Sequence, residues 1–256
     1  MRLPVQRRDR RQKLMIGTAG WAIPRAQSAL FSDEGSHLHR YAQVLPCAEI
    51  NSSFYREHAF ATYRKWAMLT PATFRFSVKL PSLITHELRL RRAREPLRKF
   101  LGDLMGLGRK LGPLLIQLPP SLEFSSRMAT TFFGVLRDEF DGAAVCEPRH
   151  ESWFGARSEA VLIRHRIGRV ATDPTRIEQA RIPGGWMGRS GSMAYYRLHG
   201  SPRKYWSSYE RSGLEAWADE IANLPRSIKV WCIFDNTASG AALGNALELR
   251  ELLAST

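Results

Sequence analysis

Cysteine is scarce in this 256-residue sequence: three residues, Cys47, Cys146 and Cys232, lie far apart and form no CxxC pair. Each sits in or beside an apolar run. That predicts buried free thiols and excludes a disulfide framework or a zinc cluster of the usual spacing. It also suits a reducing compartment. Long apolar runs are missing, so no stretch reads as a membrane span. The opening MRLPVQRRDRRQK lacks the apolar middle of a secretory signal. The expectation is a cytoplasmic protein with no membrane partner. No GxGxxG or P-loop pattern occurs, which argues against the common nucleotide-binding folds. HExxH is absent too, and no internal repeat at solenoid spacing is found. Acidic residues are few, 24 against 38 Lys and Arg, for a formal net charge of +14. Such a surplus favours anionic partners: nucleic acid, phosphorylated metabolites or acidic surfaces.

The content that remains is that of an ordinary globule, 44% hydrophobic with a mean hydropathy of −0.30. The basic residues gather in two places. Residues 1–13 read as a basic disordered arm, and Arg89, Arg91, Arg92, Arg94, Arg98 and Lys99 form a second cluster. From Leu14 onward, short apolar or alternating runs take turns with helical stripes. Strands are expected at 14–18, 48–55, 74–79, 114–118, 143–147, 169–173, 194–200 and 229–236. Helical spacing appears at Leu38–Leu45, Tyr63–Ala67, Leu97–Leu111, Met128–Phe140, Ala160–Ile167, Leu214–Leu224 and Ala242–Leu253. Gly112-Pro113 is expected to end the third helix. Between Thr175 and Ser192 the beat falters in turn chemistry, so a loop is expected in place of a sixth helix. Eight strands without an internal linker predict one α/β domain over 14–256, a single (β/α)8 TIM-type barrel. An open doubly wound sheet is the rival.

The strand exits are polar. Ala143–Trp153 shows it best: alternation puts Val145, Glu147 and Arg149 on one side of an extended chain and Cys146 on the other, and Pro148 stops the strand. A carboxylate, a guanidinium, His150 and Trp153 then crowd its end. In a barrel all such exits meet at one rim, where enzymes of this fold place their chemistry. Lys79, Arg149 and Arg197 suit a phosphate, sulfate or carboxylate. Glu147, Asp173 and His199 are the candidate proton carriers. Glu49, Asn51, Tyr55, His86, Gln117, His150, Trp153, Asp235 and Asn236 complete the candidate ligand-binding set. No cofactor is identified; a divalent metal on the rim carboxylates and histidines is possible chemistry, although those residues show no local ligand spacing. The oligomeric state is not legible.

Several motifs, in order, resemble the domain of unknown function 72 family, also called YecE-like: Ile16–Trp21, Glu49–Tyr55, Phe76–Lys79 with Ile84–His86, Leu111–Pro120, Glu147–His150, Tyr196–Gly200 and Phe234–Asn236. The resemblance runs from about Leu14 to the C-terminus and implies a TIM-type barrel. It implies no reaction. Likeness of that barrel to endonuclease-IV-like and xylose-isomerase-like barrels points by fold analogy to a nucleic-acid or sugar ligand. Ala19 stands where a serine is usual and Asp235 where an asparagine is common. The arm before Leu14 is outside the pattern, and an upstream start codon would account for it.

Three functions compete. The first is a hydrolase- or isomerase-like enzyme acting on an anionic, phosphate- or sugar-containing ligand. The second is a non-catalytic nucleic-acid-binding barrel. The third is a scaffold whose rim polar groups only satisfy one another.

Overall fold

In the computed structural model, which describes residues 14–187 and 193–255, the parallel strands follow chain order around a ring. They are β1 (Leu14–Ala19), β2 (Cys47–Ile50), β3 (Arg75–Lys79), β4 (Leu111–Gln117), β5 (Ala144–Glu147), β6, β7 (Met193–Leu198) and β8 (Lys229–Phe234). β6 comes in two pieces, Ile167–Arg169 and Ala171–Asp173, either side of Val170. The first piece pairs with β5 and the second with β7, while the Val170 N–H donates to Cys146 O at 2.8 Å. β8 pairs with both β7 and β1. The ring therefore closes through β6, and the fold is the expected TIM-type barrel. The proposed arm over residues 1–13 lies outside the described residues.

Helices α1 (His37–Val44), α2 (Phe60–Met68), α3 (Arg94–Leu104), α4 (Ser126–Glu139), α5 (Ala156–Arg164), α6 (Arg211–Ala222) and α7 (Ala241–Ala254) pack outside the ring. Their starts follow ordinary chemistry: Ser36 and Ser125 cap α1 and α4 by accepting from the N–H groups of His39 and Met128. Between β6 and β7 the described residues hold no α-helix. A 3-10 turn at Glu178–Arg181 and a two-residue strand, Gly184–Gly185, antiparallel to β6, stand there instead. The missing helix was expected; residues 188–192 of that loop lie outside the described residues.

Two boundaries differ from expectation. Gly112 and Pro113 do not end α3 but lie inside β4, where the register to β3 slips between Phe76 and Val78. Proline has no N–H to give a ladder, and a bulge is where a strand accommodates it. The extended run expected at 48–55 stops at Ile50, and Ser52–Phe54 turns as a 3-10 helix.

Strand alternation divides the interior in two. Ile16, Ala48, Phe76, Ile116, Cys146, Tyr196 and Phe234 face the helices. Cys47, Leu115, Val145, Val170, Tyr195, Trp231 and Ile233 fill the ring itself, as a packed barrel requires. Tyr195 and Trp231 stack inside it, 6.1 Å between ring centroids. This apolar plug floors the polar residues at the C-terminal ends of the strands.

Candidate functional site

Arg197, near the end of β7, shares the inward parity of Tyr195 and stands at the centre of the mouth with 1% of its surface exposed. Its Nε and Nη2 donate to Glu49 Oε2 and Oε1 at 3.1 and 2.7 Å. Nη1 donates to Glu147 Oε2 at 2.8 Å, and Nη2 also to Asp235 Oδ2 at 2.9 Å. Burial alone would make the guanidinium easier to deprotonate, but Glu49, Glu147 and Asp235 hold its pKa well above the usual value. Tyr195 supports the cluster from below, its hydroxyl 2.9 Å from Glu49 Oε2 and 2.7 Å from Ser77 Oγ.

His199 is fully buried between two carboxylates: Nδ1 lies 3.0 Å from Asp235 Oδ2 and Nε2 lies 3.1 Å from Glu147 Oε1. Nε2 is also 3.1 Å from Arg149 Nη2. A neutral ring with its proton on Nδ1 accepts from Arg149, whereas an imidazolium donates to Glu147. Glu147 further takes an ion pair from Arg149 at 2.6 Å and a hydrogen bond from Thr172 at 3.3 Å. Its burial would raise its pKa, yet Arg149, Arg197 and His199 keep it well below the ordinary range. Asp235 is likewise lowered, burial being outweighed by Arg197 and His199. Each of these three carboxylates is therefore paired within the protein. Among the described residues no group of three or more His, Cys, Asp or Glu side chains is placed to hold a metal ion.

Above this layer the mouth opens. A cleft of about 630 Å³ is lined by Gln117, Arg149, His150, Glu151, Thr172, Arg176, Lys204 and Tyr205, among others. Arg149 forms its link to the layer below. The guanidinium Nε of Arg149 is buried and has no hydrogen-bond partner. The buried Asn51 Oδ1 is unpartnered as well. Lys79, 5% exposed, points its Nζ at the Phe54 ring, 3.9 Å from the centroid. His86 meets the Phe54 ring edge to face, 4.8 Å between centroids, with Nδ1 2.8 Å from Thr85 Oγ1. Burial, Lys79 and Arg149 each lower the pKa of His86, in that order.

Of the residues expected at the site, the structure gathers Glu49, Lys79, Glu147, Arg149, Arg197, His199 and Asp235, and borders them with His86, Gln117 and His150. Four others stand elsewhere. Asp173 faces outward on β6, takes a hydrogen bond from the Tyr209 hydroxyl at 2.8 Å, and lines a separate pocket with Arg181 and Trp217. Trp153 is wholly buried and donates to Leu122 O at 2.9 Å, so it has no face for a ligand. Tyr55 is 78% exposed and packs edge to face on Phe54. Asn236 braces the fold, its Nδ2 2.9 Å from both Ser207 O and Asn245 Oδ1. The residues the sequence did not single out are Thr172, Ser77, Phe54 and Arg176. For Thr172 a signal existed: it shares the two-residue period of Gly168 and Val170, whereas Asp173 does not.

A closed (β/α)8 barrel with a charged, internally paired layer at the C-terminal ends of its strands defines the structural class. The chain belongs to the family described as "Protein of unknown function DUF72", whose model matches residues 15–256, as the motifs above implied. It is 23% identical to UPF0759 protein YunF of Bacillus subtilis, over 94% of both chains. It is 27% identical to UPF0759 protein YecE of Escherichia coli, over 66% of this chain and 62% of that one. A solved DUF72 family protein from Thermotoga maritima superposes with a TM-score of 0.76 at 23% identity, over 94% of this chain and 99% of that one. A 3-keto-L-gulonate-6-phosphate decarboxylase from Vibrio cholerae shares the fold alone, with a TM-score of 0.52 and 10% identity over 95% of this chain and 98% of that one.

Proposed function

We propose that the barrel mouth binds an anionic small molecule, phosphate- or carboxylate-bearing and sugar-sized, and acts on it by proton transfer in a hydrolase- or isomerase-like reaction. One observation carries this reading: the buried, unpartnered Nε of Arg149, a residue that lines a cleft together with Arg176, Lys204 and His150. A buried guanidinium donor left without a partner calls for an acceptor, and an anion supplies one with charge assistance. The lining opposes those groups with one acid, Glu151.

Glu147 and His199 lie one layer beneath Arg149 and do not reach the cleft themselves, being fully buried. In this reading they are positioning residues. They fix the Arg149 plane and can trade a proton between Glu147 and His199 without exposing either to water. His86, whose pKa is lowered by burial, Lys79 and Arg149, serves as the base. Asp173 has no part, because its carboxylate belongs to Tyr209.

Thermal melting with ribose 5-phosphate, inorganic phosphate and a single-stranded oligonucleotide tests the reading. Ribose 5-phosphate should raise the melting temperature of the wild type and lose that effect in Arg149→Ala and in Lys204→Ala. Shifts that survive both substitutions would remove the cleft from consideration. A second reading, nucleic-acid binding without catalysis, draws on Tyr205 and Trp206, 43% and 48% exposed, with Arg203 over the Trp206 ring at 4.7 Å. Exposed aromatics beside cations suit stacked bases. In that case the oligonucleotide alone stabilises the protein, and the effect fades steeply with salt.

A further inference from the structure

We propose that Lys79 is a carbonyl-capturing amine, which condenses with a small aldehyde or ketone whose anionic group the Arg149 cleft holds; this rests on the mouth being an anion site. Three observations place it. Lys79 ends β3 with its side chain on the inward parity of Ser77, beside the Arg197 cluster. Its Nζ meets the face of Phe54, and among the described residues it has no carboxylate ion pair, although Arg149 and Arg197 both have theirs. The turn that carries Phe54 is tied to the same strand, since Ser53 Oγ donates to Lys79 O at 2.6 Å.

A lysine kept only to neutralise Glu49, Glu147 or Asp235 would be expected to contact one of them. This one is held off them over an aromatic ring, in a largely buried site next to a second cation. Those are the conditions that turn an ammonium into a nucleophilic amine. Burial and then Arg197 bring its pKa from 10.5 down to about 8. At neutral pH roughly two orders of magnitude more of it is free amine than of an exposed lysine. His86, whose imidazole feels both Lys79 and Arg149, can accept the proton that the ammonium sheds.

The step balances without an oxidant or reductant. The nitrogen lone pair attacks the carbonyl carbon, the C–N bond forms, and the carbonyl π pair moves to oxygen, which takes a proton from the nitrogen. The carbinolamine hydroxyl then leaves as water with a second proton from nitrogen, and the nitrogen lone pair closes the C=N bond. Phe54 must turn aside for the carbonyl to enter. The ring is only partly buried and sits on a three-residue turn, Ser52–Phe54.

The test uses glyoxylate and glycolaldehyde phosphate as probes on the intact protein near neutral pH, with borohydride to reduce any imine to a stable secondary amine. Peptide mass mapping then ranks the lysines. Lys79 is expected to be labelled about tenfold or more faster than Lys65 or Lys99, with inorganic phosphate slowing it, and Lys79→Arg should lose the label. Because the ranking is read within the wild-type protein, it stands even if the variant folds poorly. Labelling that simply follows exposure, with Lys79 last, overturns the imine. Phosphate stabilisation that depends on Arg149 would in that event leave the anion site standing. Fast Lys79 labelling that phosphate does not slow keeps the amine and removes the anion site instead.

Discussion

Arg197 is the residue on which the mouth turns. It takes three carboxylates into a space that water does not reach, and its removal leaves Glu49, Glu147 and Asp235 facing one another. Arg197→Met should therefore cost about 3–5 kcal/mol in urea unfolding, the range for breaking a buried ion pair from one side. A cost below about 1 kcal/mol would mean that the carboxylates are solvated after all. At this scale the sequence was legible where alternation was regular. Val145 and Glu147 were read on one face and Cys146 on the other, and the packing agrees. It was less legible where charge alone was followed. Asp173 is an acid at a strand end, but only parity says which side of a strand looks into the barrel, and parity favours Thr172. Trp153 was read with the charged residues around it, yet its indole N–H found a carbonyl and its ring found Phe124, 5.1 Å away between centroids.

Among the elements, the loop from β7 to α6 does most to finish the site. His199 and Gly200 leave β7, and the chain returns over the mouth through Lys204 and Tyr205. Gly200 has φ +88°, and a Cβ there would sit 2.3 Å from Ser207 O and 2.9 Å from Asn236 Cβ. Both the backbone conformation and the space exclude a side chain. Gly200→Ala should cost upward of about 1 kcal/mol and loosen the loop. The check is a lower urea midpoint together with faster amide hydrogen exchange at Tyr205, whose N–H is bonded to His199 O. Unchanged exchange at Tyr205 would separate the loop from the glycine. Loops also explain what the sequence withheld. Strands and helices announce themselves by period, whereas Arg176 and Lys204 sit in non-periodic chain, and nothing in their neighbourhood says that two loops meet over one cleft. The bulge in β4 was hidden for a related reason: Gly112-Pro113 is stop chemistry by composition, and only the pairing with β3 shows that the strand runs through it.

For the whole molecule the question is where the surplus positive charge does its work. Much of the second basic cluster is already neutralised. Arg94 pairs with Asp138 and Glu139, Arg98 with Glu95 and Glu139, and Lys99 with Glu57. Arg91, Arg92 and Arg127 line a smaller outer cavity of about 380 Å³ near the start of α4. Among the described residues, that outer cavity is a second basic surface that competes with the barrel mouth for an anion. Amide chemical-shift mapping during a titration with inorganic pyrophosphate decides between them. The account predicts saturable shifts centred on Arg149, His150, Thr175–Ile177 and Lys204–Tyr205, with little change at Arg91, Arg92 and Arg127. Shifts confined to those three arginines, or a drift without saturation spread over all basic surfaces, would contradict it.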